Sequence, residues 1–271
     1  MDISVTTIQM NSAVKVDENL VWLTKQFSQI KGQGHKLVVL PECFPCFGGP
    51  NEEMAKIAEE YGNGPIQDFL AHNAKKYGLW LVAGSMPIKN SGSERYSAAC
   101  LIFSPDGQIQ ARYNKIHLFD ADVADNTGQY RESDTTLAGD KVVVVDTPFA
   151  KIGLSICYDV RFPELFRLMQ LQGADIICIP SAFTYVTGAA HWQILMRARA
   201  IENQCFVVAA NQTGVHQNGR QTFGHSILID PWGEIIHQHA EQAGLLESKI
   251  HLDKIAQVRA KMPNLQHRQF K

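Results

Sequence analysis

Three segments of this sequence each end an apolar run on a residue able to do chemistry: LVVLPE on Glu42, KIGLSIC on Cys157 and DIICIPSA on Ser181. In sheets whose strands are joined by crossover helices, sites form beyond the carboxyl ends of the strands. Cys157 is followed by YDVRFPE, in which Pro163 suits the first position of a helix and Glu164 its first turn. A thiol at such a strand-to-helix elbow meets the helix dipole and free backbone N–H groups, which favour a thiolate and an oxyanion on a bound substrate. Alone, a cysteine in an apolar strand is most often a structural thiol. Glu42 changes that balance, because a carboxylate ending a buried strand is costly without a partner. Lys115, in RYNKIHLFD, is a candidate partner, although most lysines are simply solvated. A glutamate, a lysine and a cysteine at strand exits supply a base, an oxyanion stabiliser and a nucleophile, the set needed to cleave an amide. No histidine stands in a recognisable signature with the cysteine, so a papain-like reading has no specific support.

The elements that must position these residues follow from periodicity. Val5 to Gln9 reads as a strand, and Leu20, Leu23, Phe27 and Ile30 then recur at helical spacing before Gly32 and Gly34. Lys36 to Leu40 reads as a strand buried on both faces. Helices are predicted over about 51–61 and 65–77, the second stopped by Gly78. Strands are predicted at about 79–84, 96–103 and 108–113, the last two joined through Pro105-Asp106-Gly107. In the second half, strands are predicted near 142–146, 151–157, 175–179, 205–210, 225–230, 234–239 and 244–250, with helices near 163–172, 189–203 and 252–260. Residues 117–140 form the longest stretch without a predicted element, and a loop of that length in a compact domain is usually functional. The halves share an order of strand, helix and strand before their antiparallel strands. This predicts an α/β fold in four layers, an α-β-β-α sandwich of two mixed sheets face to face with helices outside, over residues 1–271 as one domain. A doubly wound three-layer sheet is the competing architecture, disfavoured by hairpins such as 96–113.

Charge and composition remove other classes of function. With 25 Lys+Arg against 27 Asp+Glu, the net charge of -2 gives no field to attract nucleic acid or an anionic membrane surface. No apolar run approaches the ~20 residues of a membrane span. MDISVTTIQM lacks the basic and apolar regions of a signal peptide, so the expectation is a cytoplasmic chain whose six cysteines are thiols.

The segments LVVLPE, YNKIHLFD and GLSICYDVRFPEL resemble, in order and approximate spacing, the three signature regions of the nitrilase superfamily of carbon–nitrogen hydrolases. GADIICIPSAF, GAAHWQILMRARAIENQCFVVAANQTG and GHSILIDPWGEII extend the likeness across essentially the whole chain. The resemblance implies Glu42 as base, Lys115 as oxyanion stabiliser, Cys157 as nucleophile and Glu132, in GQYRES, as a positioning glutamate. It implies hydrolysis of a small-molecule amide through a thioester, with the Tyr158 N–H joining Lys115 at the oxyanion and no metal or organic cofactor required. PSAF, the TGAAHWQILMRARAIE run and the NTGQYRES loop are most similar to the deaminated glutathione amidase branch. The neighbouring omega-amidase branch is the alternative, and a catalytically silent scaffold of the same fold is disfavoured by the complete set of Glu42, Lys115 and Cys157. A substrate of that first branch carries carboxylates, for which Arg161 and Arg199 are candidate partners, unless they pair structurally with Glu164 or Glu202. By the same analogy Ser181, Phe183 and Thr187 line the pocket. Members of the superfamily commonly form homodimers. The tail from about residue 261, with Leu265 and Phe270 as apolar anchors, is expected to cross to a partner chain.

Several other patterns carry less. Cys43 and Cys46 match C-x-x-C without a second pair or a histidine partner, and are expected to pack near the site rather than to form a redox couple or half a zinc site. His237 and His239 are two apart, and without a third ligand are expected on an exposed strand. Cys100, Cys178 and Cys205 should be inert thiols in apolar strands.

Overall fold

The computed structural model describes residues 1–125 and 127–269. The first half runs β1 (Asp2–Gln9), α1 (Val16–Phe27), β2 (Lys36–Val39), α2 (Asn51–Lys56), α3 (Pro65–Tyr77), β3 (Trp80–Val82), β4 (Met86–Asn90), β5 (Ser93–Phe103), β6 (Ile109–Asn114), β7 (Asp120–Asp122) and β8 (Gln129–Arg131). The second runs β9 (Val143–Asp146), β10 (Lys151–Leu154), α4 (Pro163–Leu171), β11 (Ile176–Cys178), α5 (Tyr185–Asn203), β12 (Phe206–Ala209), β13 (Thr213–Val215), β14 (Gln221–Phe223), β15 (Ile227–Ile229), β16 (Ile235–Gln238), β17 (Gly244–His251) and α6 (Asp253–Lys261).

Two mixed sheets result. The first has the order β17-β1-β2-β3-β5-β4, with β6 also paired to β5; the second has the order β16-β15-β12-β11-β10-β9. The inner strands β1, β2 and β3 are parallel, as are β10, β11 and β12, and antiparallel strands flank both sets.

Side-chain alternation turns these sheets into layers. Ile3, Val5, Leu37, Val39, Val82, Cys100 and Ile102 point from the first sheet into a core shared with Ile152, Leu154, Ile176 and Cys178 of the second. Their neighbours in sequence, Val38, Leu40, Leu81, Leu101 and Phe103, pack outward on Leu23 and Phe27 of α1 and on Ile66, Leu70 and Ala74 of α3. The order of layers is helix, sheet, sheet, helix, which is the α-β-β-α sandwich expected. Each fully buried Val, Leu or Phe contributes about 1.5–3 kcal/mol, so strands buried on both faces are the anchors from which the site residues project.

Local departures from the expectations have identifiable causes. Helix α2 stops at Lys56, well before residue 61, because Glu59 turns inward to accept the amides of Ile66 (2.6 Å) and Gln67 (3.1 Å) at the start of α3. Strand β4 and the β13–β14 hairpin are additional. The 117–140 segment folds into the β7–β8 hairpin and a 3₁₀ turn at Glu132–Asp134. His237 and His239 do not stand on an exposed strand: His239 is buried, both bond to Thr7, and burial holds both rings down at about 4. Among the described residues no cluster of His, Cys, Asp and Glu is placed to hold a metal, and no helix is long and apolar enough to cross a membrane. Phe270, expected as a tail anchor, lies outside the described residues.

Candidate active site

Glu42 leaves the end of β2 through Leu40, whose amide still pairs with Val82 O at 3.0 Å. The turn is held from behind by Gly84, which adopts φ +54°; a Cβ there would lie 2.0 Å from Pro41 O, so no other residue fits. Gln212 Nε2 donates to Glu42 O at 3.0 Å, fixing the same peptide from the other side.

Lys115 follows β6 and stays in register with β5, its N–H donating to Ala98 O at 2.9 Å while its own carbonyl accepts Gly139 N–H at 2.8 Å. Its side chain, 2% exposed, bridges two carboxylates. Nζ donates to Glu42 Oε1 at 2.7 Å and to Glu132 Oε2 and Oε1 at 2.8 and 3.0 Å. Glu132 opens the 3₁₀ turn after β8, and its Oε2 also accepts the Phe119 amide at 2.7 Å. The polar segment 117–140 therefore delivers the second carboxylate.

Cys157 sits after β10 at the start of a 3₁₀ turn, Cys157–Arg161, that precedes α4. Its φ of +47° is a left-handed backbone on a residue other than glycine, a strained elbow of the kind found where a side chain must be aimed. Asp159 holds the elbow in place. This wholly buried carboxylate accepts the Ile156 amide (2.8 Å), the Tyr113 hydroxyl (2.7 Å) and the His117 amide (3.0 Å), and His117 Nδ1 lies 2.7 Å away. The His117 ring stacks on Phe162 at 3.7 Å. One carboxylate thus ties the cysteine turn to the segment leaving Lys115.

The surroundings oppose the elbow's preference for a thiolate. Burial, and then the charge of Glu42, hold the Cys157 thiol well above the ordinary thiol value, outweighing Lys115 and the Ala182 amide. Desolvation wins over the turn's dipole. Burial opposes the charge on Lys115, yet Glu132 and Glu42 together keep it well above the ordinary lysine value. Burial raises Glu132, against the pull of Lys115. The arrangement is a neutral thiol beside a carboxylate and a fixed cation. It can pass a proton from sulfur to a carboxylate while negative charge develops on a substrate oxygen near Lys115. Of the leading amides of the 3₁₀ turn, Cys157 N–H donates to Pro180 O at 2.8 Å and Asp159 N–H to Ile156 O at 3.1 Å, whereas Tyr158 N–H makes no backbone hydrogen bond among the described residues.

These residues line a cavity of about 240 Å³ together with Tyr158, Arg161, Phe183 and Thr187, all expected there, and with Cys43 and Cys46. Two expected pocket residues are elsewhere. Ser181 is fully buried and donates to Ile179 O at 3.1 Å, because the strand end turns it inward. Arg199 faces away, bonded to Glu202 Oε1 at 2.7 Å and to Val160 O at 2.9 Å, so its role is packing α5 on the cysteine turn. Asp159, Tyr113 and His117 end no apolar run, so the pattern that marks Glu42 and Cys157 does not mark them. The only sequence signal for Arg220 is the hairpin dipeptide Asn218-Gly219 immediately before it.

Known proteins resemble the chain over nearly its whole length. Residues 4–260 match the family model described as carbon–nitrogen hydrolase. The chain is 42% identical over 268 residues to a protein of Yersinia enterocolitica named deaminated glutathione amidase, covering 98% of this chain and 93% of that one. It is 43% identical to a Synechocystis protein of the same name, covering 97% of each. The crystal structure of Saccharomyces cerevisiae Nit3, a member of branch 10 of the nitrilase superfamily, superposes with a TM-score of 0.88 at 30% identity, over 99% of this chain and 97% of that one. A buried Glu-Lys-Cys site at strand exits of an α-β-β-α sandwich and a family match over nearly the full length lead to one statement: the chain belongs to the carbon–nitrogen hydrolase family, and it is a hydrolase of carbon–nitrogen bonds other than peptide bonds.

Proposed function

We propose that this enzyme is an amidase that converts deaminated glutathione to 2-oxoglutarate and Cys-Gly through a thioester on Cys157. The observation that carries the reading is the bridge of Lys115 between Glu42 and Glu132 at the floor of the cavity that also holds Cys157. The relatives at 42 and 43% identity support the choice of substrate.

Glu42 takes the thiol proton as sulfur bonds to the amide carbon, and the carbonyl oxygen takes the charge beside Lys115 and Tyr158 N–H. This order suits a thiol held neutral by burial, since the sulfur does not carry a full charge next to Glu42 in the resting site. The C–N bond then breaks as Glu42 returns the proton to the leaving amine. Water adds to the thioester, giving its proton to Glu42, and collapse of the second intermediate releases the acid while the proton returns to sulfur. Glu132 acts through Lys115: by taking two of its contacts it holds Nζ in place. Every proton lost is recovered within one cycle, so the residues present suffice.

We also infer a cytoplasmic homodimer joined through the outer helices. Leu168 and Leu171 of α4 and Ile194 and Ile201 of α5 are exposed, which supports an interface there. Sedimentation at the mass of one chain would refute it. The substrate reading is tested by measuring Cys-Gly release from deaminated glutathione against ammonia release from 2-oxoglutaramate. The expected result is a higher kcat/KM for deaminated glutathione, and a clear preference for 2-oxoglutaramate overturns it in favour of an omega-amidase.

A further inference from the structure

The cavity holds a cation that the reaction above does not use. Arg220 ends the tight turn between β13 and β14, where Gly219 adopts φ +83° and Arg220 O accepts the His216 amide at 2.9 Å. The turn is pressed against the segment after Glu42. Phe47 meets His216 edge-on at 4.4 Å, and a Cβ on Gly48 would lie 2.7 Å from His216 Cβ. From this fixed base the guanidinium runs between two rings, its carbon 4.7 Å from the centre of Phe47 and 4.8 Å from that of Tyr130. It lines the same cavity as Glu42, Lys115 and Cys157.

Its hydrogen-bonding capacity is almost unspent. Among the described residues Arg220 has no carboxylate within ion-pair distance, its Nε is buried without a partner, and its one side-chain bond is a long one, 3.4 Å from Nη2 to Ala182 O. By contrast Arg199 is saturated by Glu202 and Val160, and Arg131 pairs with Asp122 at 2.9 Å. A half-buried guanidinium offers five donors in a planar fork matched to a carboxylate. The rings of Phe47 and Tyr130 offset part of its desolvation through cation–π contact, and the donors they leave unpaired suit a ligand's carboxylate. Its position is close to the chemistry, because Ala182, whose carbonyl it touches, is also the residue whose amide acts on the Cys157 thiol.

We propose that Arg220 is a carboxylate-binding residue of this cavity and makes the enzyme selective for amides that carry a carboxylate near the scissile bond. The inference rests on the amidase reading and deepens it. The proposed substrate has a carboxylate on its acyl side and another on its amine side; the chemistry of recognition is the same, and the test separates them.

The full-length enzyme and its Arg220→Gln and Arg220→Lys variants are assayed with linear amides bearing a carboxylate on the acyl side (glutaramate), on the amine side (N-butyryl-Cys-Gly), on both (deaminated glutathione) or on neither (butyramide). The readout is the ratio of kcat/KM for acidic over neutral amides, which a merely structural role would not move. Arg220→Gln should lower that ratio by about 10²-fold, through KM more than kcat, with partial rescue by lysine. The acidic amide that loses its advantage identifies the carboxylate bound. A ratio that stays within about threefold of wild type for every acidic amide overturns the proposal. A second arm needs no turnover: glutarate and N-acetylglycine are tested for protection of Cys157 against iodoacetamide. Protection by either acid in wild type, lost in Arg220→Gln, supports the assignment; protection by neither, or equal protection in both proteins, overturns it. If no amide is hydrolysed, the amidase reading fails while this second arm still decides the role of Arg220.

Discussion

Replacing Lys115 with methionine keeps the length and the apolar stem of the side chain while deleting its charge, and the consequences follow from the geometry. Nζ lies 2.7 Å from Glu42 and 2.8 Å from Glu132 in a site where the lysine is 2% exposed. At an effective dielectric near 20, each pairing is worth about 6 kcal/mol before desolvation. Burial of three charged groups consumes most of that, and removing one partner of a buried pair typically costs about 3 to 5 kcal/mol because the other charge is stranded. At about 2 °C per kcal/mol for a chain of this size, the melting temperature near pH 8 should fall by roughly 6 to 10 °C. Glu132, which burial already raises, would rise further without Lys115. A carboxylate with a folded-state pKa above the unfolded value of about 4.3 binds more protons when folded, so its penalty grows as pH rises through the window between the two values. The deficit of the variant should therefore be smaller near pH 5 than near pH 8. Catalytically, loss of an oxyanion donor costs about 10² to 10³, and the stranded glutamates add to it, so kcat/KM should fall by at least about 10³. Melting curves at both pH values and an amide-release assay measure these effects. A variant within tenfold of wild-type activity, or one equally destabilised at both pH values, refutes the reasoning.

Two further outcomes follow from the same site. Because burial and Glu42 hold the Cys157 thiol well above the ordinary value, its alkylation by iodoacetamide should accelerate about tenfold per pH unit between about pH 7 and 9; a plateau beginning below about pH 8 would contradict the assignment. Asp159→Asn puts an NH2 donor in place of one acceptor oxygen, facing donors that converge on it. It should cost about 2 to 4 kcal/mol of stability and about 10²-fold in kcat with KM little changed, by loosening the elbow; lowered stability with an unchanged kcat would make Asp159 structural only.

Glu42 and Cys157 were legible in the sequence because each ends an apolar run that has to be buried, which fixes where the chain emerges; Lys115 follows the mixed strand IQARYN and was legible only as a lysine at the exit of a hairpin strand. The layers were legible for a related reason: the alternation of Leu37, Val38, Val39 and Leu40 places two residues in each of the cores that flank the first sheet. What the sequence hid is depth and direction. Ser181 also ends an apolar run, yet its hydroxyl finds Ile179 O and turns away from the cavity. Arg199 has the same composition cue as Arg161, and only its contacts with Glu202 and Val160 separate them. Strands β13 and β14 have three residues each, too few to show a period, so no pattern marks Arg220 between them. The strand-to-helix elbow favours a thiolate at Cys157, but that dipole argument is local, whereas desolvation depends on everything packed around the group and raises the thiol.

The central claim is that Cys157 carries the acyl group during turnover. Wild-type enzyme mixed with deaminated glutathione, quenched in acid within its first turnovers and digested for mass spectrometry, should show the Cys157 peptide heavier by one 2-oxoglutaryl group in place of the thiol hydrogen. That adduct should be absent from Cys157→Ala, which should release no Cys-Gly. Release of Cys-Gly by Cys157→Ala at a rate approaching wild type would contradict the account.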